Sequence, residues 1–419
     1  MNKRTPFITF LFLISLVTAS VLGLQTAATP VAALRSSQAT AKATQTPVIV
    51  PFELNNRHII LKGKINSQPV EFVLDTGDQV AIIDMEVAKR LNVPLGDNVR
   101  VGGAGAATLT GAVVRNTQFT LDGLPGFSQP VRMALPMGNV LSQRAGRAFE
   151  GIIGAEFIQQ YVVEIDYQAR VLKLHDKEKF VYNGPGESIP IRLVHGHPII
   201  EAEVTPVGST APLKGKFVFD IGAGLALALY SPFVAENRML GPESKTIKSL
   251  GGAGAGGETT GRIGRVSEIK IGNYTIKNPI TLFSEDTAGA FASRELAGNI
   301  GARIANRFRV FLDYGRKRII FEPNSTFGAP YDSASAGVSV IAEGADYRTF
   351  RIRAVLENSP ASEVGLQKGD IITRVNDQAA AELTLAKLNE MFERPVPYKI
   401  TIRRGEQTLT VTLTPRRLV

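Results

Sequence analysis

The feature that most constrains this chain is a stretch that occurs twice. "EFVLDTGDQVAIID" (71–84) and "KFVFDIGAGLALAL" (216–229) share one pattern: a charged residue, Phe-Val, an apolar residue, Asp, one residue, Gly, then apolar alternation. Asp75 and Asp220 lie 145 residues apart (220 − 75). The likeness extends to both sides. "RHIILKGKI" (57–65) resembles "HPIIEAEV" (197–204), and "VGGAGA" (101–106) resembles "LGGAGAGG" (250–257). "GIIGAEFIQQYVVEIDYQARVLKL" (151–174) resembles "GNIGARIANRFRVFLDYGRKRIIF" (298–321), with Gly154 and Gly301 147 residues apart (301 − 154). Four blocks in one order at a near-constant offset imply an internal duplication.

Each copy reads as strand-rich. Period-two alternation recurs at 57–65, 69–75 and 161–174, and again at 216–220 and 307–321. Short helices are expected only after each Asp-containing turn and after each Ile-Gly-Ala stretch. With 419 residues the chain is too long for one core, so several domains are expected. Hydrophobic residues at 44% and charged residues at 20% exclude a disordered chain. The net charge of +9 is spread without a basic stripe, which argues against a nucleic-acid partner. The chain has no cysteine, which removes disulfides, thiolate metal sites and cysteine nucleophiles together.

The blocks that carry chemistry are Asp-Thr-Gly between apolar strands, a glycine-rich hairpin, and two apolar residues before Gly ("IIG", 152–154). Together they resemble one subunit of a retropepsin-like aspartic protease. The second copy, with "DIGA" and "NIG" (299–301), resembles the other subunit, and the likeness spans about residues 51–325. The resemblance implies a mostly β fold, with two tandem retropepsin-like lobes forming one bilobal aspartic protease. It also implies that Asp75 and Asp220 are the catalytic pair, supported by Thr76, Gly77, Gly222 and Ala223. Gly102, Gly103, Ala104 and Gly105, with Gly251, Gly252, Ala253 and Gly254, would form flaps over an extended polypeptide substrate. No metal and no cofactor is implied.

The chemistry fits that reading. Two carboxyls held about 3 Å apart share one proton, so one can take a proton from water while the other polarises the carbonyl. Two departures stand out. Ile221 occupies the place where the family carries a second bracing Thr, and Asp78 stands where it carries Ala or Ser. Asp78 would either raise the proton affinity of the pair or face outward to read substrate. These departures leave a second reading open, a catalytically weak or inactive peptide-binding protein. A homodimer with lobes paired between chains is a third.

Other motifs have plainer readings. "GAGAGG" (252–257) fits a dinucleotide pattern, but no amphipathic helix follows it. His195 and His197 could place two imidazoles on one strand for metal, yet His197 is the repeat counterpart of His58 and reads as a strand start. Asp166 and Asp313, each before Tyr, read as hairpin caps.

After the second copy, "SPASEVGLQKGDIITRVN" (359–376) resembles a bacterial PDZ domain. A helix is expected at 383–392 and a hairpin at 398–413. PDZ domains add an extended peptide to a sheet edge and capture its C-terminal carboxylate. The resemblance places that site at Gly337, Val338 and Ser339. The partners implied are polypeptide substrates and, at the PDZ domain, peptide C-termini.

The N-terminus has a basic head ("MNKR"), an apolar run ("PFITFLFLISLVTASVLGL") and small-residue sites ending at Ala28 and Ala33. A secretory signal peptide and an uncleaved membrane anchor both fit, and either exports the rest to the periplasm or the exterior. The expected domains are 1–33 signal peptide or anchor, 34–50 linker, 51–182 lobe 1, 183–328 lobe 2, 329–335 linker and 336–419 the α+β PDZ domain.

Overall fold

In strand Gln68–Leu74, Val70, Phe72, Val73 and Leu74 are all buried, and the run Phe72–Leu74 is covered on both faces, as an apolar strand in the middle of a sheet requires. The computed structural model describes residues 46–242, 244–249, 252–254, 256–331 and 334–419. The expected signal peptide or anchor at 1–33, most of the linker at 34–50, and flap residue Gly251 lie outside the described residues. The described residues pack as one compact unit.

The chain is mostly β. Two sheets among the described residues share one strand order. The first runs Leu95–Val101, Leu109–Val114, Met133–Leu135, Ile82–Asp84, Gly151–Ile153, Gln68–Leu74, His58–Ile65, Gln118–Leu121 and Gln129–Pro130. The second runs Ile247–Lys248, Gly261–Arg265, Ile280–Ser284, Leu227–Leu229, Gly298–Gly301, Leu213–Asp220, His197–Thr205, Glu268–Ile271 and Tyr274–Lys277. In each, the strand leading to the aspartate pairs parallel with the strand ending in Ile-Gly or Ile, whose other edge pairs antiparallel with the strand after the aspartate turn. That arrangement pins both aspartate turns at equivalent strand ends.

A six-stranded sheet joins the copies, in the order Val48–Pro51, Val171–His175, Val162–Asp166, Phe308–Asp313, Arg318–Pro323 and Glu187–Pro190. Its centre is the pairing of Val163 with Leu312 and of Ile165 with Val310. Ile165, Leu172, Phe308, Val310, Leu312 and Phe321 therefore belong to one continuous core that also holds Phe72 and Phe219. Asp166 accepts from the amides of Gln168 and Ala169, and Asp313 from that of Arg316, so both cap their hairpins.

The linker expected over 34–50 is shorter than its composition suggested. Val48–Pro51 is an edge strand, and Val50 is 1% exposed. Burying a Val side chain contributes about 1.5–3 kcal/mol, enough to order a segment whose neighbours are small and polar. Tyr331, in the segment expected as a linker at 329–335, is likewise docked: the Arg307 guanidinium lies 3.7 Å from its ring centre, and Tyr331 is buried.

Among the described residues there are seven helices, all short: α1 (Met85–Arg90), α2 (Gly138–Ala145), α3 (Ala155–Ile158), α4 (Ser231–Glu236), α5 (Ala302–Ala305), α6 (Pro360–Glu363) and α7 (Leu385–Phe392). α1 and α4 follow the aspartate turns, and α3 and α5 follow the glycines, as the pattern predicts. α2 was not foreseen. In the second copy only the 3₁₀ turn Ala290–Ala292 lies between the corresponding strands. Asp84 fixes the start of α2 by accepting from the amides of Met137 (3.0 Å) and Gly138 (2.6 Å). Gly146, with φ of 70°, ends it in the left-handed conformation that glycine adopts without strain.

The PDZ domain has its own core, built on Phe350, Ile352, Ile372, Leu385, Leu388, Ile400 and Ile402. Its sheet runs Val338–Glu343, Thr349–Val355, Ile371–Val375, Tyr398–Arg404 and Gln407–Leu413. Ser359 caps α6 with a reciprocal box and Thr384 caps α7, which sets both helix starts. The domain docks on the lobes through Glu393, which accepts from Arg57 at 2.6 Å and lies 3.5 Å from Arg303.

Candidate active site

The strand ends carry Asp75 and Asp220 to one place, where their carboxyls are within hydrogen-bonding reach of each other. Both are partly buried. The amide of Gly77 donates to Asp75 Oδ1 at 2.6 Å, and the amide of Ala223 donates to Asp220 Oδ1 at 2.9 Å. Gly222 is required sterically, since a Cβ there would stand 2.0 Å from the Asp75 carboxyl carbon. At Gly77 a Cβ would meet Asp75 Oδ1 at 3.0 Å and Asp220 at 3.1 Å.

The brace beneath the pair comes from one side. Thr76 is fully buried; its hydroxyl donates to the Phe219 carbonyl at 2.6 Å and accepts from the Ile221 amide at 3.0 Å. One hydroxyl thus ties both turns together, while Ile221, 1% exposed, fills the opposite position with apolar packing. Each such bond contributes about 0.5–1.5 kcal/mol, and breaking a buried one costs about 1–3 kcal/mol.

Two residues that the sequence reading missed hold Asp220. Asn299 Nδ2 donates to Asp220 Oδ2 at 2.6 Å, and the Tyr230 hydroxyl donates to Asn299 Oδ1. A signal existed: Asn299 is polar where the first copy carries the apolar Ile152.

Burial pushes the Asp75 carboxyl up to about 7, with the charge of Asp78 adding to it. Asp78 does not face outward. It is partly buried beside Asp75, and burial together with the nearby Asp220 pushes its carboxyl up to about 7. Asp220 is raised well above the usual carboxylate range, first by burial and then by Asp75. Three acids therefore crowd one site that keeps protons to near neutrality.

The glycine-rich tips meet. The first spans 102–108 between strands Leu95–Val101 and Leu109–Val114, and the second pairs Gly252–Gly254 with Gly257–Thr259. The amide of Ala107 donates to the Gly256 carbonyl and that of Gly256 to the Ala104 carbonyl, both at 2.8 Å; Ala290 donates to the Gly103 carbonyl at 3.0 Å. A Cβ on Gly105, whose φ is 95°, would stand 2.3 Å from the Gly256 oxygen. The glycines permit backbone contact that larger residues would block. Gly102 has open space around it, and Gly252 and Gly254 lie in the second hairpin with the backbone of Ala253. Ala104 packs with Tyr230 and Phe291, which links the first tip to the Asp220–Asn299 group.

In the PDZ domain, Gly337 has φ of 72°, and Val338 and Ser339 begin the edge strand. His195 lies in a turn with φ of 51°, and His197 begins a strand. Among the described residues no group of three or more His, Cys, Asp or Glu side chains is arranged to hold a metal ion.

Residues 61–157 match the aspartyl protease family model. Residues 351–403 match the PDZ domain. A Treponema pallidum (strain Nichols) protein called a zinc metalloprotease is 33% identical over 147 residues, covering 29% of this chain and 32% of that protein. The chain thus spans about a third of that relative's length. The crystal structure of the HtrA3 PDZ domain bound to a phage-derived ligand (FGRWV) is 22% identical with a TM-score of 0.19, covering 20% of this chain and 88% of that one. The photosystem II D1 C-terminal processing protease is 18% identical with a TM-score of 0.20, covering 21% and 24%. The chain therefore carries an aspartyl protease-like region and a PDZ domain.

Proposed function

We propose that the chain is an aspartic-type endopeptidase that hydrolyses extended polypeptides. The observation that carries this reading is the meeting of Asp75 and Asp220 of one chain on equivalent strand ends, with a hydroxyl brace below. One carboxylate takes a proton from a water held between them. The other, protonated, polarises the scissile carbonyl and later supplies a proton to the leaving amine. The touching glycine tips serve as lids that part for substrate and close on its backbone. Duplication of one lobe accounts for the shared strand order. Export to the periplasm or exterior, by the N-terminal segment, fits the polypeptide substrate. Peptide C-termini are the expected PDZ ligands.

The test is cleavage of casein from pH 3 to 8 by the full-length chain, with Asp75→Asn and Asp220→Asn alongside. Cleavage by the parent and a loss of at least about 1,000-fold in both variants is expected. Three equally silent proteins would instead favour the reading in which Asp78 and Ile221 mark a peptide-binding groove without hydrolysis.

A further inference from the structure

Among the described residues the PDZ sheet ends at strand Val338–Glu343, which pairs only with Thr349–Val355 on one side. Its other edge is where a ligand would add as a strand, with α7 forming the opposite wall. α2 from the first lobe lies against Val338–Glu343. The end of α2 reaches the other wall. A Cβ on Gly146 would stand 2.5 Å from the Leu385 Cβ, in the first turn of α7. Asn56 donates to the Ala145 carbonyl at 3.3 Å and accepts from Asn389 of α7 at 3.5 Å, bridging the two helices. The helix therefore touches both walls of the groove.

The same helix is tied to the second flap. Glu258, in flap strand Gly257–Thr259, accepts from Arg144 of α2 at 3.0 Å and from Arg353 of the PDZ strand Thr349–Val355 at 2.9 Å. Arg353 also donates to Ser339 at 3.3 Å, on the edge strand itself. Groove, helix and flap thus share one chain of contacts.

We propose that α2 is a built-in plug of the PDZ groove, which a polypeptide C-terminus displaces, drawing Arg144 from Glu258 and loosening the second flap. A ligand carboxylate lodged at Gly337–Ser339 would pair with the edge strand in the space α2 now takes. Both events bias one two-state element, the docked or released helix. PDZ grooves receive chain ends as a rule; here the occupant is the chain's own helix, and its departure reaches the flap.

The test uses the full-length chain carrying Asp75→Asn, so that no peptide is cleaved and the outcome is independent of the catalytic reading. The probe is a fluorescein-labelled pool of random hexapeptides ending in Val with a free carboxylate, beside the same pool amidated. Gly146→Val, which clashes with Leu385, and the milder Asn56→Ala both release the plug; near-UV dichroism checks their folding. Expected is weak binding by the parent, at least about tenfold tighter binding by the released variants, and no binding of the amidated pool. Hydrogen exchange at the Gly257–Thr259 amides is expected to quicken with the carboxylate pool and in the released variants. Equal binding by parent and variants, binding by none, or binding that leaves flap exchange unchanged would each overturn the proposal.

Discussion

Asn299 reaches Asp220 through one hydrogen bond of 2.6 Å, and its counterpart in the first copy, Ile152, can form none. The two aspartates are therefore unequal. A donor aimed at Oδ2 favours the ionised form of Asp220 and opposes the burial that raises it.

Replacing Asn299 by Leu removes that donor. The alkaline limb of the pH–kcat/KM profile, which reports the proton Asp220 must keep, is expected to move upward, with kcat about tenfold lower. The change is read from initial rates on a quenched peptide. An unmoved alkaline limb would detach Asn299 from the titration.

Asp78→Asn removes one negative charge beside the pair. Asp75, now pushed up to about 7 by burial and Asp78, is expected to ionise at lower pH, shifting the activity optimum to the acid side. Stability responds with a defined sign. Asp75 and Asp78 hold protons in the folded state up to about 7, while in the unfolded chain they release them near 4. Between those values the folded state binds more protons, so stability falls as pH rises through the window and levels off above it. Urea midpoints at pH 5 and pH 8 should differ less in the variant than in the parent.

Thr76→Val keeps the shape and loses both bonds of the brace. Phe219's carbonyl and Ile221's amide are left unpaired in the core, at a cost of about 1–3 kcal/mol. Thr76→Ser keeps the hydroxyl and should recover most of that in the same denaturation series. A Val variant as stable as the parent would show that the tie between the turns is energetically idle.

Gly222→Ala places a methyl 2.0 Å from the Asp75 carboxyl carbon, so the pair must separate. Activity is expected to fall by about 100-fold or more. Thermal unfolding should shift far less than activity, since the displaced groups are partly exposed. Equal activity in the Ala variant would contradict the placement of the pair.

Much of the fold was legible because it is written in short-range patterns. Alternating Val, Phe and Ile mark strands, and the two Asp-x-Gly turns at matched spacing mark where equivalent strands end. The helix at 383–392 was legible from its amphipathic spacing, and the structure starts it at Leu385, where the Thr384 side chain accepts from the Lys387 amide. Val48–Pro51 escaped because its flanks are small and polar, and its burial depends on Val171–His175, more than a hundred residues later.

The sequence by itself determined the lobes' strand pattern, the paired aspartates, the glycines beside them and the PDZ domain, because local periodicity and repeat spacing encode each. Only the tertiary structure decided that Asp78 sits partly buried beside Asp75, that Asn299 holds Asp220, and that α2 lies against the PDZ strand Val338–Glu343 with Arg144 on Glu258. Those contacts join elements far apart in the chain. No local pattern specifies them, since they depend on how separate packed surfaces settle against one another, and a few ångströms there decide which polar groups meet.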